Sequence, residues 1–566
     1  MESILHNVNY PKDIKKLNLE QKQKLAEEIR KYILEIVSKN GGHLASNLGV
    51  VELTIAIHSV FDSPEDKIIW DVGHQAYVHK ILTGRKEKMK TLRTFGGLSG
   101  FPKINESQYD SFDTGHSSTS ISVALGMARA RDLLHKNNKV ISIIGDGALT
   151  GGMAIEALND AGNSKTNITV ILNDNEMSIS QNTGGMRKLL TKIRIKKTYK
   201  RSNNLVKRFF LKVPLIGKPI VETAHKIKKG IKGTIIPNMY FEDIGFTYLG
   251  PVDGHNIEEL ETILKKSQNI NGPILIHVIT KKGKGYGIAE ENPDKFHGIS
   301  SFNIETGEVI NKSEKDYSKV FGNKLAELAK KDDKIVTITA AMKDGTGLKE
   351  FANKFPKRFF DVGIAEEHAI GLIGGMAASG LKPVFAVYSS FLQRGYDQLI
   401  HDIALQNLPV TIGIDRAGIV GNDGETHQGL FDLCFLSTIP NFVIMAPKNY
   451  EELEKMLEFS INLKKPTAIR YPRGEEGKIK FKNSKEIKLG KSEIIKEGKD
   501  ITIIAIGKMV ERAVEISNLL KENSIEAEVI NARFLKPFDE ETLINSANKT
   551  KKVITIEDGI LEGGLR

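Results

Sequence analysis

Short apolar runs alternate with longer stretches whose apolar residues recur at helical spacing, and the alternation persists along nearly the whole chain. Ile68–Trp70, Val140–Ile144, Ile168–Leu172 and Ile274–Ile279 read as buried strands, and Gln23–Val37 as an amphipathic helix. Strands and helices in alternation are the signature of a doubly wound parallel sheet, so the expected fold class is α/β. This first block covers residues 1–310, and the polar, turn-rich stretch from Gly298 to Asp316 reads as a linker. A second α/β block is expected over 317–475, with strands Ile335–Ile338, Pro383–Tyr388, Val410–Ile414 and Phe442–Met445. A third, over 487–566, carries Thr502–Ile506, Ala527–Asn531 and Val553–Glu557. The expectation is three doubly wound parallel-sheet domains.

Composition narrows the setting. A chain of 566 residues exceeds a single hydrophobic core. It has no apolar run of membrane-spanning length, and Met1 to Asn40 is too charged for a secretory signal, so a cytoplasmic protein without a membrane partner is expected. One cysteine, Cys434, excludes an intrachain disulfide and a thiolate metal cluster. The net charge of +11 is uneven: Arg187 to Lys232 holds 16 Lys and Arg against the single acid Glu222, leaving the remainder at −4. A basic stripe of this kind could bind nucleic acid. It contains no recognised binding motif and interrupts the first block, so residues 187–233 read as a solvated surface insertion, with no nucleic-acid partner.

The candidate chemistry begins where strands end. Val140–Ile144 leads into Gly145-Asp146-Gly147-Ala148, and the next strand leads into Asn173-Asp174-Asn175. Asp146 and Asn175 lie 29 positions apart, about one βαβ unit, which puts both at the carboxyl ends of strands in one sheet. Oxygen donors there suit Mg²⁺, which completes its octahedron with phosphate and water, and the glycines let backbone N–H groups approach a diphosphate. Gly-Asp-Gly alone is an ordinary turn; paired with Asn-Asp-Asn at this distance it resembles the diphosphate motif of thiamine-diphosphate enzymes.

That chemistry also needs a carboxyl group for the pyrimidine ring, an apolar stacking face, and polar groups near the reactive carbon. Glu366, at the start of an Ala/Gly-rich helix through Ser379, is the candidate carboxyl. A helix-start charge stabiliser is the alternative, and Glu367 is a competing neighbour. Phe391 is the candidate stacking face or, alternatively, a core aromatic. His43, His74, His116, His297 and His427 lie in polar or glycine-flanked loops, where ligand groups gather, and none has metal-ligand spacing.

Taken together, the segments resemble the 1-deoxy-D-xylulose-5-phosphate synthase family. They include Gly49-Val-Val-Glu-Leu-Thr54, Trp70-Asp-Val-Gly-His-Gln-Ala-Tyr77, His79-Lys-Ile-Leu-Thr-Gly-Arg85, Gly115-His-Ser-Ser-Thr-Ser-Ile121, Gly250-Pro-Val-Asp-Gly-His255, Thr426-His-Gln-Gly429 and Arg470-Tyr-Pro-Arg-Gly474. The resemblance implies a transketolase-like fold of diphosphate-binding, pyrimidine-binding and C-terminal domains, the last of them short, in a homodimer. It implies thiamine diphosphate and Mg²⁺ as cofactors and pyruvate and D-glyceraldehyde 3-phosphate as substrates, joined with loss of CO₂. The product, 1-deoxy-D-xylulose 5-phosphate, feeds isoprenoid, thiamine and pyridoxal synthesis. Carried over, cofactor contacts fall on His74, Gly115, His116, Ser117, Gly147, Ala148, Asn175, Tyr286 and Glu366. Magnesium falls on Asp146, Asn175 and the Met177 carbonyl, and proton handling on His43, His297 and His427.

Both substrates are anions, which suits the planar fork of arginine. Arg416 and Arg473, with Tyr388, are the candidates for the acceptor phosphate, and Arg93 and Arg394, with Asp423 nearby, for pyruvate. Transketolase, which shares the domain order and releases no CO₂, is the nearest rival reading.

Overall fold

The computed structural model describes residues 3–175, 185–186, 188–192, 239–310, 315–421, 424–481 and 486–565. The chain divides into two compact units, Met1–Asn311 and Lys312–Arg566. Most of the basic insertion, together with Met177 and Asp423, lies outside the described residues.

In the first unit, β1 (Lys67–Trp70), β2 (Val140–Gly145), β3 (Thr169–Asp174), β4 (Thr247–Asp253) and β5 (Ile274–Ile279) form one sheet. Its order is β1-β2-β3-β5-β4, and every neighbouring pair is parallel. Alternate residues serve opposite faces. Val140, Ile144, Val170 and Leu172 pack with helices Ser120–Leu133 and Gly152–Ser164, whereas Ile141, Ile143, Ile171 and Ile276 pack with helices Val51–Val60 and Ile257–Ser267. A strand covered on both faces must be apolar throughout, which is why these runs stand out in the sequence. The stretch beginning at Gly298 is not a free linker at its start. Gly42 and Ile299 exchange backbone hydrogen bonds of 2.8 and 3.0 Å, and Phe302 is buried, because the apolar side chains spaced along this turn-rich segment fold back onto the unit.

The second unit holds two sheets. β6 (Ile335–Thr339), β7 (Phe359–Asp361), β8 (Lys382–Tyr388), β9 (Thr411–Asp415), β10 (Val443–Met445) and β11 (Thr467–Arg470) are mutually parallel. The smaller sheet contains β12 (Glu493–Lys496), β13 (Ile501–Ala505), β14 (Ala527–Asn531) and β16 (Val553–Ile556), in the order β12-β14-β13-β16. β15 (Phe534–Lys536) leaves this smaller sheet to pair antiparallel with β10, giving the larger sheet the order β15-β10-β11-β9-β8-β6-β7. The second and third blocks expected from the sequence therefore fall together in one unit.

A buried charge cluster fastens the two sheets. Lys448 Nζ donates to Glu452 at 3.0 Å and Glu493 at 2.7 Å, Arg533 pairs with the same two carboxylates at 2.8 and 2.9 Å, and Asn531 donates to Glu452 at 3.1 Å. Two cations balance two anions, so removing one leaves an uncompensated buried charge at a cost of about 3–5 kcal/mol. Lys448→Met is expected to lower the melting temperature of this unit by roughly 5–15 °C in a calorimetric scan. A shift below about 2 °C would show that the cluster carries no such load.

Candidate active site

The first unit gathers its polar side chains at the carboxyl edge of its sheet. β2 and β3 are parallel neighbours in the register Gly145↔Asn173, and the Asp146 N–H donates to the Asn173 carbonyl at 3.2 Å. The three residues of Asn-Asp-Asn divide their work. Asn173 accepts from the Thr280 hydroxyl at 2.6 Å and donates to Gln75 at 3.2 Å, while Asp174 pairs with His277 at 2.8 Å, itself 2.8 Å from the Tyr248 hydroxyl. These two lock the strand end, and Asn175 follows past the strand, half-buried, at the same carboxyl edge of the sheet as Asp146.

The Gly115-His116-Ser117 loop is fixed from below. Asp71, buried at the end of β1, accepts the N–H groups of Ser118 and Ser120 at 2.9 and 3.1 Å. The Ser118 hydroxyl donates to the Ala148 carbonyl at 2.8 Å, tying this loop to Gly147-Ala148. The turn before His74 is as tightly made: Val72 has φ +60°, and a Cβ on Gly73 would lie 2.3 Å from Pro102. A β-branched residue in the left-handed region is held there by its surroundings, as at sites built for ligands.

Three of the predicted histidines meet. The rings of His43, His74 and His297 have centroids 5.1–5.6 Å apart, with Phe101 at 5.7 Å from His43. Asn47, fully buried, donates to the carbonyls of His43 and His74 at 2.7 Å each and accepts the Tyr77 N–H at 2.8 Å. The Tyr77 hydroxyl accepts the His43 N–H at 3.1 Å and lies beside Arg93, itself at φ +59°. Asn47 and Tyr77 thus shape the cluster, a role that only the folded contacts reveal. Burial, reinforced by the nearby Lys282 amine, pushes His74 down to about 3 and His297 well below the usual imidazole range, so both are neutral at physiological pH.

Lys282 is the residue that sequence reasoning missed. It follows β5, is 5% exposed, and sits in the fields of Asp146, His74 and His297. Burial lowers its amine to about 8, with Asp294 and Asp146 opposing. Its only sequence signal is position, at the carboxyl end of a strand next to the Asn-Asp-Asn strand. Tyr286, an expected cofactor contact, packs its ring on Phe296 and Phe302, and its hydroxyl donates to the Ile304 carbonyl at 2.6 Å.

The second unit builds its own group on the carboxyl edge of its larger sheet. Glu366 begins the helix Glu366–Ala378 five residues beyond β7 and is 2% exposed, whereas Glu367 is exposed. Burial raises the Glu366 carboxyl above the usual range despite Arg394 at 3.4 Å, which favours the proton-holding form. Phe391, half-buried, stacks on Tyr388 at 5.8 Å and meets the His427 ring edge-on at 5.4 Å. Arg416, at φ +59°, lies 3.8 Å over the Tyr388 ring and donates to the Gly345 carbonyl at 2.8 Å. The register Tyr388↔Asp415 brings these residues side by side from β8 and β9, and Arg473, exposed, follows the neighbouring strand β11.

The donor set of the first unit fits a magnesium diphosphate. Asp146 and Asn175 offer hard oxygens, Lys282 offers a cation, and the Nδ1 atoms of His74 and His297 are buried with no hydrogen-bond partner among the described residues.

Comparison with known proteins agrees with this chemistry. Residues 5–280 match the family 1-deoxy-D-xylulose-5-phosphate synthase, residues 313–477 the transketolase pyrimidine binding domain, and residues 490–566 the transketolase C-terminal domain. The 1-deoxy-D-xylulose-5-phosphate synthase of Clostridium acetobutylicum is 55% identical over 566 residues, covering all of this chain and 91% of the relative. That of Halothermothrix orenii is 56% identical over 566 residues, covering all of this chain and 89% of the relative. That of Caldanaerobacter subterraneus is 54% identical over 562 residues, covering 99% and 90%. With identity sustained over its full length, the chain belongs to the 1-deoxy-D-xylulose-5-phosphate synthase family.

Proposed function

We propose that this chain decarboxylates pyruvate and joins the remaining two-carbon unit to D-glyceraldehyde 3-phosphate, giving 1-deoxy-D-xylulose 5-phosphate and CO₂. The observation that carries the reading is the buried Glu366 carboxyl, kept toward its protonated form and backed by Arg394. Thiamine diphosphate, when bound, would supply the nucleophilic carbon and the electron sink that decarboxylation of a 2-keto acid requires.

Each residue then has a physical task. Asp146, Asn175 and the carbonyl of Met177, which lies outside the described residues, would hold Mg²⁺, while Lys282, His74 and the Gly115-His116-Ser117 and Gly147-Ala148 backbones would surround the diphosphate. Glu366 holds a proton on the pyrimidine ring, and Phe391 gives that ring an apolar face. His43, His297 and His427 are the candidates for moving protons at the reacting carbonyls, and burial holds His297 neutral at physiological pH. Arg93 of the first unit and Arg394 of the second are the candidate cations for the pyruvate carboxylate. Residues 1–310 serve as the diphosphate-binding domain, 317–475 as the pyrimidine-binding domain and 487–566 as the C-terminal domain of a cytoplasmic homodimer. No helix among the described residues is long and apolar enough to cross a membrane.

Arg416, Arg473 and Tyr388 take the acceptor phosphate. Replacing either arginine with Ala removes charge-assisted hydrogen bonds worth roughly 1.5–3 kcal/mol, about ten- to a hundredfold in binding. The loss is expected in the KM for glyceraldehyde 3-phosphate, and it should largely vanish with unphosphorylated glyceraldehyde while the KM for pyruvate stays level. An equal rise in both KM values would mean that the arginine organises the whole site rather than the phosphate.

A further inference from the structure

Two sequence motifs, Gly49-Val-Val-Glu52 and Asp253-Gly254-His255, supply none of the candidate site residues, yet they meet at the backbone immediately before Lys282. His255 Nε2 accepts the Lys281 N–H at 2.8 Å. A ring nitrogen that accepts carries no proton, so the proton sits on Nδ1, which donates to Glu52 Oε2 at 3.1 Å. Glu52 is held in turn by the Arg30 guanidinium, which also reaches the Leu48 carbonyl at 3.3 Å. Burial by itself would raise the Glu52 carboxyl; hydrogen bonds from His255 and Arg30 outweigh it and keep it at about 2, a permanent anion. The His255 N–H donates to Asp253 at 2.9 Å, fixing the turn that presents the ring.

The approach of the two segments is close. A Cβ on Gly49 would lie 3.0 Å from the Lys281 carbonyl oxygen, so a side chain there would press on this backbone. From the fixed segment, consecutive lysines diverge in role: Lys281 is exposed and pairs with Glu290, whereas Lys282 is buried next to Asp146. Lysine has a long, flexible stem, so its ammonium is placed mainly through where its Cα is held.

We propose that Glu52 and His255 are positioning residues for Lys282, the relay from Arg30 through Glu52 and His255 to the Lys281 N–H fixing the backbone from which the Lys282 amine reaches the diphosphate seat. The inference rests on the reading of Lys282 as a diphosphate ligand. It gives one physical task to Gly49, Glu52 and His255. The Lys281 hydrogen bond lies at an exposed edge, so water can replace it in a variant; the fold then survives while the position of Lys282 does not.

The test is calorimetric titration of thiamine diphosphate, at fixed Mg²⁺, into the full-length cofactor-free chain and its variants. His255→Ala is expected to weaken binding about tenfold, with kcat at saturating cofactor and the KM for pyruvate within about twofold of the parent. The melting temperature of the cofactor-free chain should hold within about 2 °C. His255→Gln, whose amide oxygen can accept the Lys281 N–H, should restore much of the lost affinity. Lys282→Ala should weaken binding at least as much as His255→Ala, and the double variant should bind no worse than Lys282→Ala alone. If Lys282→Ala weakens binding and His255→Ala does not, or if the losses add in the double variant, the positioning role is overturned and the diphosphate role stands. If Lys282→Ala binds normally, the diphosphate role itself falls. Should His255→Ala fail to fold, His255→Asn keeps a donor for Glu52 at the Nδ1 position, is too short for its amide oxygen to reach the Lys281 N–H, and gives the same reading.

Discussion

Glu366→Gln is expected to slow exchange of the C2 proton of bound thiamine diphosphate by about 10²- to 10⁴-fold, the range in which a positioned acid or base contributes. The amide matches the carboxylate in shape and fits the same 2%-exposed position, so cofactor affinity and melting temperature should change little. What it lacks is an ionisable proton that can pass to and from the pyrimidine ring. Burial favours that proton on Glu366, and the 3.4 Å contact to Arg394 keeps the group oriented. The exchange is followed by NMR after rapid quench in deuterated solvent. Glu367→Gln is the control: its carboxylate is exposed one residue away, and exchange should remain close to that of the parent. A slow Glu367→Gln with a normal Glu366→Gln would reverse the assignment.

Asp146→Ala is expected to lower thiamine diphosphate affinity at ordinary Mg²⁺ concentrations by at least about a hundredfold, and activity with it, because the charged ligand oxygen has no replacement. The local fold should persist, since the hydrogen bond from Asp146 to the Asn173 carbonyl is made by the backbone. Calorimetric titration at several Mg²⁺ concentrations separates the two components: affinity should recover in part as Mg²⁺ rises. Near-parent affinity at every Mg²⁺ concentration would remove Asp146 from the metal site.

How legible these features were depended on where their causes lie. β2 and β3 were readable because both of their faces are covered, leaving unbroken apolar runs, and the observed ends differ from the expected ones by a residue or two. β4 escaped notice because Gly250-Pro251 breaks its pattern and its burial is mixed at the sheet edge. β12 is a short edge strand with charged ends, and β15 is a three-residue edge strand whose partner, β10, lies some ninety positions earlier in the chain. That pairing, with the Lys448–Glu452–Glu493–Arg533 cluster, joins two sequence blocks into one unit, and nothing local in either block announces it.

The same distinction runs through the site. Asp146, Asn175 and Glu366 were found because the glycines and strand ends around them are local signals. Lys282 is one of 81 Lys and Arg, and its depressed amine comes from burial against residues far along the chain. Asn47 and Tyr77 act through backbone groups of His43 and His74, contacts created only by folding.

The most direct test of the account follows carbon. The purified chain is incubated with Mg²⁺, thiamine diphosphate, [1-¹³C]pyruvate and D-glyceraldehyde 3-phosphate, and products are followed by ¹³C NMR and mass spectrometry. The account predicts labelled CO₂ and unlabelled 1-deoxy-D-xylulose 5-phosphate in equal amounts, both dependent on thiamine diphosphate. Ketol transfer between sugar phosphates without CO₂ release, or no consumption of pyruvate by the folded, cofactor-loaded chain, would contradict it.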